Sequence, residues 1–270
     1  MPIEVMREPT VKGWHRILIY SDPKSGKTRL ATSLPSSWGK ILYVAEDDNS
    51  ESLAPVLEKY RSNITVVKSR PTYDGKYDPV AEAFAIAMGW KEILPDAGTM
   101  IWDTMSSSGD KFLKYIAEKG QFSQTQHITV GAMDGPGKQV IPMQGDYGGA
   151  QNVISNLTSF LMQQPLHLIV LCHAKYDEPQ TGETVEGGPA TVGNATVRTY
   201  SKPFDTVIHL GKRSFGGGPG QDTKCVVVAH TERHGIWQAS IREGKGRNPM
   251  PKVELKPDPI DFWNLYESSF

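Results

Sequence analysis

A short polar segment between an apolar run and a helix-forming run most constrains this 270-residue chain. Residues 21–28 read Ser-Asp-Pro-Lys-Ser-Gly-Lys-Thr, follow the apolar run 17–20 and precede 29–34, an order that predicts strand, loop and helix start. A phosphate-binding P-loop needs this context, because its backbone N–H groups and a helix N-terminus together attract anions. Ser21 stands where the motif has its first glycine, while Gly26 keeps the second. The sequence therefore predicts a nucleoside triphosphate site.

The P-loop pattern gives its last two residues separate roles. We expect Lys27 to reach the β- and γ-phosphates of ATP, and the Thr28 hydroxyl to bind Mg²⁺. The residues expected to surround the phosphates are Ser21, Asp22, Pro23, Lys24, Ser25, Gly26, Lys27 and Thr28.

Short apolar runs alternate with helical patterns along the rest of the chain. Because such alternation is typical of βαβ units, it predicts an α/β fold with a mostly parallel sheet and helices on both faces. Residues 1–14 and 243–270 lack strong periodicity, so we expect an N-terminal arm, a central domain over 15–242 and a C-terminal tail. Strands are predicted at 17–20, 40–45, 64–67, 99–102, 167–172, 206–210 and 225–229, and helices at 50–60, 79–94 and 151–163.

The bulk composition is that of a globular protein with balanced charge. The net charge of −1 gives no overall argument for nucleic acid, so any such site must be local. Cys172 and Cys225 lie in apolar strand-like runs, which predicts core residues in a reducing compartment rather than a disulfide. No apolar run reaches the length of a membrane span, and the first residues lack a secretion pattern. We therefore expect a cytoplasmic protein without membrane contact.

Polar residues at the ends of three predicted strands are candidates for chemistry at the phosphates. Asp103 follows 99–102, where P-loop proteins hold a Mg²⁺-binding aspartate; the alternative is a helix N-cap. Glu46 follows 40–45 and could accept a proton from attacking water; the alternative is a solvated turn. His173 follows 167–172, where it could sense the γ-phosphate or only cap the strand.

Together these segments resemble the RecA-like branch of P-loop ATPases over about residues 14–240. Within that branch the chain is similar to phage-encoded RecA-fold (AAA-type) ATP-binding proteins of the single-strand annealing and recombination group. The resemblance implies a RecA-like ATPase domain, with Glu46 as catalytic glutamate, Asp103 as Mg²⁺ ligand and His173 as polar sensor. The segments that carry it are 17–28, 41–46, 100–103, 168–173 and the Asp-Tyr-Gly of 146–148.

The same resemblance implies two DNA-binding loops, at 121–148 and 175–203. Aromatic and basic residues in such loops can stack bases and contact phosphates, although Glu183 and Glu186 offset part of the charge. From the residues alone, solvated loops remain the alternative. The candidate contacts to single-stranded DNA are Lys138, Lys175, Tyr176, Arg198, Tyr200 and Lys202.

Assembly is a further implication of the resemblance. Arg233 can match an arginine that reaches the phosphates bound to a neighbouring subunit, while Thr231 stands where many relatives have a lysine. We expect a homo-oligomeric ring or filament, with a single-stranded DNA-binding protein as a possible further partner.

Three functions stay open at this point. The first is a DNA-stimulated ATPase that binds single-stranded DNA in phage recombination or strand annealing, in the host cytoplasm. The second is a P-loop ATPase or kinase with a non-DNA substrate. The sequence shows no arginine-rich lid, which argues against a kinase. The third is a non-hydrolysing scaffold that uses ATP for assembly, with which Ser21 and Thr231 are compatible.

Overall fold

A computed structural model gives the structure of the chain. It describes residues 13–47, 50–60, 62–70, 72–120, 142–177, 185–194, 196–215, 224–241, 250, 252–255 and 259–269.

Ten strands, seven α-helices and one 3₁₀ helix (Ser36–Trp38) occur in the described residues. The strands are β1 (Arg16–Ser21), β2 (Lys40–Ala45), β3 (Ile64–Lys68), β4 (Ala97–Asp103), β5 (His167–Tyr176), β6 (Gly187–Ala190), β7 (Thr206–Phe215), β8 (Lys224–His230), β9 (Ser240–Ile241) and β10 (Lys252–Leu255). The helices are α1 (Lys27–Thr32), α2 (Ser50–Tyr60), α3 (Pro79–Met88), α4 (Trp90–Ile93), α5 (Met105–Lys119), α6 (Gln144–Met162) and α7 (Ile260–Glu267).

All ten strands join one sheet in the order β10-β8-β7-β1-β5-β4-β2-β3, with β6 added to β5 and β9 added to β7. The pairs from β7 through β1, β5, β4 and β2 to β3 are parallel, whereas β8 and β10 continue the sheet antiparallel. This confirms the predicted mostly parallel sheet. Since β5 lies between β1 and β4, the carboxyl ends of these three strands meet at one edge, where open α/β sheets bind ligands.

Alternate side chains of each strand pack into two separate cores. Leu42 and Val44 of β2 belong to a core with α3, α5 and α6, whereas Tyr43 and Ala45 belong to a core with α1, α2 and α7. Successive strand residues point to opposite faces, so a strand buried on both faces needs the nearly continuous apolar runs seen in the sequence. Helices therefore cover both faces of the sheet, as predicted.

The C-terminal residues correct the prediction of a tail over 243–270. Strand β10 pairs with β8, and helix α7 buries Phe262, Trp263 and Tyr266 in the core on the α1 side. The indole N–H of Trp263 donates to the Leu30 carbonyl over 2.8 Å. Because three aromatic side chains are buried this way, residues 259–269 belong to the domain.

The two predicted loops and two of the predicted helices also need correction. Helix α6 begins at Gln144 rather than 151, because the Asp146 carboxylate accepts the Met143 N–H at 2.8 Å and stabilises the first turn despite Gly145. In the second predicted loop, β5 extends to Tyr176 and pairs with β6 as a hairpin. The predicted helix 79–94 is divided at Gly89 into α3 and α4.

Both cysteines are free, but Cys225 is exposed, so only Cys172 is the core residue that was expected. None of the described helices combines the length and the apolar character needed to cross a bilayer.

Candidate active site

The P-loop connects β1 to α1 at the carboxyl edge of the sheet. Gly26 precedes the helix with φ 87°, a left-handed conformation that strains residues with a Cβ atom. Gly26 has no side chain to cap the helix, so N–H groups of its first turn can bind an anion. The fold thus gives residues 21–28 the local geometry that the sequence predicted.

Lys27 is the buried cation of this loop. Only 7% of the residue is exposed, and its Nζ donates to the Ser21 carbonyl at 3.1 Å, the Ser21 hydroxyl at 3.2 Å and the Asp22 carbonyl at 3.1 Å. Burial lowers the pKa of Lys27, while the charge of Asp103 opposes this change. Because all three acceptors are neutral oxygens, a phosphate would supply the buried ammonium with an anionic partner.

The fold brings Thr28 and Asp103 into contact, although they are 75 residues apart in the sequence. The Thr28 hydroxyl donates to Asp103 Oδ2 at 2.9 Å, and the Tyr43 hydroxyl donates to the same oxygen. Burial raises the pKa of Asp103, and these two hydrogen bonds oppose the increase. A hydroxyl and a carboxylate are ligands that Mg²⁺ accepts, so the residues present fit this ion.

The alternative role of Asp103 as a helix N-cap is wrong. Thr104 caps α5, since its hydroxyl accepts the Ser107 N–H at 3.1 Å. The Asp103 carboxylate therefore accepts hydrogen bonds from the hydroxyls of Thr28 and Tyr43 rather than from the start of the helix.

Glu46 lies in a buried ion pair that the sequence did not indicate. It is 1% exposed, and its carboxylate contacts Lys111 of α5, whose Nζ also donates to the Ser69 hydroxyl at 3.0 Å and the Arg70 carbonyl at 2.9 Å. Burial raises the pKa of Glu46, and Lys111 opposes this increase. This arrangement rules out the alternative of a solvated turn at Glu46. Its catalytic role stays a prediction.

His173 lies beside the P-loop, in register with Ser21 across the β1–β5 pair. Its backbone N–H donates to the Ser106 hydroxyl at 2.9 Å. The ring Nδ1 is buried and has no hydrogen-bond partner among the described residues. Burial lowers the pKa of His173, the charge of Lys27 lowers it further, and Asp47 opposes both. The fold therefore holds this imidazole beside the P-loop, with Nδ1 free to accept a further partner.

The end of β5 presents Lys175 and Tyr176 to solvent. Tyr176 is 54% exposed, and its ring centroid is 4.8 Å from that of Trp237. Tyr176 thus presents an accessible aromatic ring against the partly buried Trp237, and Lys175 is exposed on the opposite side of the strand. Of the other residues predicted to contact DNA, Lys138 lies outside the described residues.

Tyr200 requires a correction. It is 8% exposed, its hydroxyl is 2.9 Å from the Thr158 hydroxyl of α6, and its ring packs against Phe204. Since this ring is part of the core on the α5–α6 face, it is not presented for stacking on a base.

The remaining basic candidates line one open cleft of about 550 Å³, which brings Arg198, Lys202 and Arg233 together. Arg198 is ion-paired with Asp177. Arg233 is 61% exposed at its side chain and donates to the Glu186 carboxylate over 3.2 Å. The sequence predicted DNA contacts for Arg198 and Lys202 and a subunit contact for Arg233, whereas the fold places all three at one cleft.

Sequence reasoning missed the partners that organise the site. Tyr43 and Lys111 act through tertiary contacts with Asp103 and Glu46, at sequence separations of 60 and 65. The one available signal was the alternation within 40–45, which places Tyr43 and Glu46 on opposite faces of the sheet.

Comparison with known proteins identifies the fold and nothing more specific. No family model matches the sequence, and no curated protein matches it. Among solved structures, a KaiC-like protein, PH0186, from the hyperthermophilic archaeon Pyrococcus horikoshii OT3 is similar with a TM-score of 0.50 and 13% identity, over 90% of this chain and 86% of that one. The RadB recombinase aligns with a TM-score of 0.44 and 16% identity, over 84% of each chain. The chain has an α/β RecA-like core, as expected.

Proposed function

We propose that this chain binds and hydrolyses ATP and couples the nucleotide to single-stranded DNA binding in recombination or strand annealing. The observation that carries the proposal is the contact between Thr28 and Asp103 beside the buried ammonium of Lys27. One side chain in this group is suited to phosphate, and two supply oxygen ligands for a divalent cation. The sequence resemblance to the phage-encoded annealing and recombination group supports the choice of DNA as partner.

Each residue of the site has a task in this proposal. Lys27 binds the β- and γ-phosphates, and Thr28 and Asp103 hold Mg²⁺, which when bound neutralises charge on the phosphates. The Nδ1 of His173, which has no partner among the described residues, donates a hydrogen bond to the γ-phosphate in the tautomer that carries the proton on this nitrogen. The site thereby distinguishes triphosphate from diphosphate at the end of β5.

Strand β5 provides the connection from nucleotide to DNA. His173 and Lys175 are two residues apart in β5, and both pair with β6. A change at His173 is therefore transmitted through the hairpin to Lys175 and to the rings of Tyr176 and Trp237. A nucleobase stacked on the exposed Tyr176 ring contributes about 1–3 kcal/mol, and Lys175 on the other side of the strand contacts phosphate.

We expect Lys175→Ala to weaken single-stranded DNA binding at low salt. The slope of log affinity against log salt concentration should become shallower by about one unit, because one phosphate contact is lost. Fluorescence anisotropy of a labelled oligonucleotide, with and without ATP and Mg²⁺, measures both quantities. Lys40→Ala is the matched control, because Lys40 is an exposed lysine at the opposite end of the parallel strands and pairs with Asp96. An unchanged salt slope in Lys175→Ala, or an equal change in Lys40→Ala, would contradict this DNA-binding surface.

Arg233 is proposed to act on nucleotide bound by a neighbouring subunit. An arginine supplied in this way contributes about 10³–10⁵-fold to the rate in favourable cases. We expect Arg233→Ala and Lys27→Ala subunits to be inactive alone and to recover part of the ATPase activity when mixed, because one shared site then contains both residues. Analytical ultracentrifugation with ATP tests assembly; a monomer under all conditions, together with no recovery on mixing, would contradict this role.

A scaffold that binds ATP without hydrolysing it is the second candidate function. The buried pair of Glu46 with Lys111 favours it, since the predicted catalytic glutamate is engaged elsewhere. ATP binding without phosphate release would support this alternative.

A further inference from the structure

Burial and contacts separate Glu46 from Asp47. In β2, Leu42 and Val44 face α5 and α6, and Tyr43 faces α1 and the P-loop side. Continuing this alternation beyond Ala45 puts Glu46 on the α5 side, where its carboxylate contacts Lys111. Asp47 follows at the bend after β2, where it is partly exposed, whereas Glu46 is buried.

The surroundings of Asp47 agree with this assignment. The Thr104 hydroxyl is 3.5 Å from Asp47 Oδ2, at the end of β4. Burial and Lys27 lower the pKa of His173, and the negative charge of Asp47 opposes them. The charge of Asp47 also acts on Lys27 and Asp103, although burial dominates the pKa of each. Three residues expected around the γ-phosphate thus lie within electrostatic reach of Asp47.

We propose that Asp47, rather than Glu46, is the catalytic carboxylate that activates water for attack on the γ-phosphate. This inference rests on the ATPase proposed above. The water oxygen forms a bond to the γ-phosphorus, and the bond from that phosphorus to the β–γ bridging oxygen breaks. ADP leaves with the electron pair of the broken bond, and the Asp47 carboxylate takes the proton that the water loses.

Glu46 is less suited to this step in the described conformation. To reach the nucleotide it would have to leave Lys111, and two buried charges would lose their partners. Asp47 needs no such rearrangement, because it is already partly exposed just beyond the carboxyl end of β2.

The experiment is single-turnover ATP hydrolysis with a separate measurement of ATP–Mg²⁺ affinity. We expect Asp47→Asn to lower the hydrolysis rate by about 10²–10⁴-fold while the affinity changes by less than about threefold, since a general base acts in the transition state. Asp110→Asn is the matched control, because Asp110 is an exposed carboxylate of α5. Its removal deletes a nearby negative charge without altering Asp47. The hydrolysis rate of this control should stay close to that of the parent.

The outcomes separate failure of Asp47 from failure of the ATPase proposal. Asp47→Asn that hydrolyses ATP at the parent rate would overturn the assignment of Asp47 alone. Folded Glu46→Gln that loses hydrolysis while Asp47→Asn retains it would overturn the assignment in favour of Glu46. A parent protein that binds ATP and never releases phosphate would overturn both the assignment and the hydrolytic function.

Discussion

Lys27→Ala is expected to weaken ATP binding by about 10²–10³-fold, because removing one partner of a buried charged contact typically costs 2–5 kcal/mol. Lys27 is 7% exposed, and its acceptors in the described residues are carbonyl and hydroxyl oxygens, so the triphosphate would be its main anionic partner. Isothermal titration calorimetry with ATP and Mg²⁺ gives the affinity, and circular dichroism verifies the fold.

The matched control for Lys27 is Arg29→Ala. Arg29 lies two residues further along α1 and is exposed, so its removal deletes a nearby positive charge without altering the buried ammonium. We expect its ATP affinity to stay within about threefold of the parent, as is usual for exposed charges. An equal loss in both variants would show that general charge, rather than the contact of Lys27, determines binding.

Lys111→Met is expected to lower the free energy of unfolding by about 3–5 kcal/mol, because it leaves the buried Glu46 carboxylate without a cation. Both partners are almost fully buried, and Lys111 also donates hydrogen bonds to the Ser69 hydroxyl and the Arg70 carbonyl. Urea denaturation monitored by tryptophan fluorescence measures the change.

The double variant Glu46→Met with Lys111→Met separates charge from packing. Replacing a buried ion pair by apolar residues of similar volume is often neutral or stabilising, so most of the lost stability should return. If the double variant were as unstable as Lys111→Met, the contact would matter for its shape or its hydrogen bonds rather than for charge compensation.

The parts of the site that were predictable are those encoded in contiguous sequence. The P-loop motif contains its strand, turn and helix start within a dozen residues, so local patterns were enough to locate Lys27 and Thr28. Asp103 was predictable because it ends an apolar run, and parallel strands bring their carboxyl ends to one edge. The sheet and its covering helices followed from the same alternation.

The parts that were not predictable depend on contacts between distant segments. Whether Glu46 or Asp47 faces the nucleotide depends on where β2 ends and on Lys111, which no local pattern connects to Glu46. Tyr200 has the composition of a DNA-contacting aromatic, yet packing against Thr158 and Phe204 buries it. Helix α7 is only eight residues long, and its burial depends on the groove beside α1.

The proposed coupling of ATP to single-stranded DNA is tested most directly by one measurement. Steady-state phosphate release should be followed with ATP and Mg²⁺, with and without a single-stranded oligonucleotide, at low salt. We expect turnover that the oligonucleotide stimulates and that Lys27→Ala abolishes. Turnover that is identical with and without DNA, from protein that binds ATP normally, would contradict the coupling of the nucleotide site to DNA.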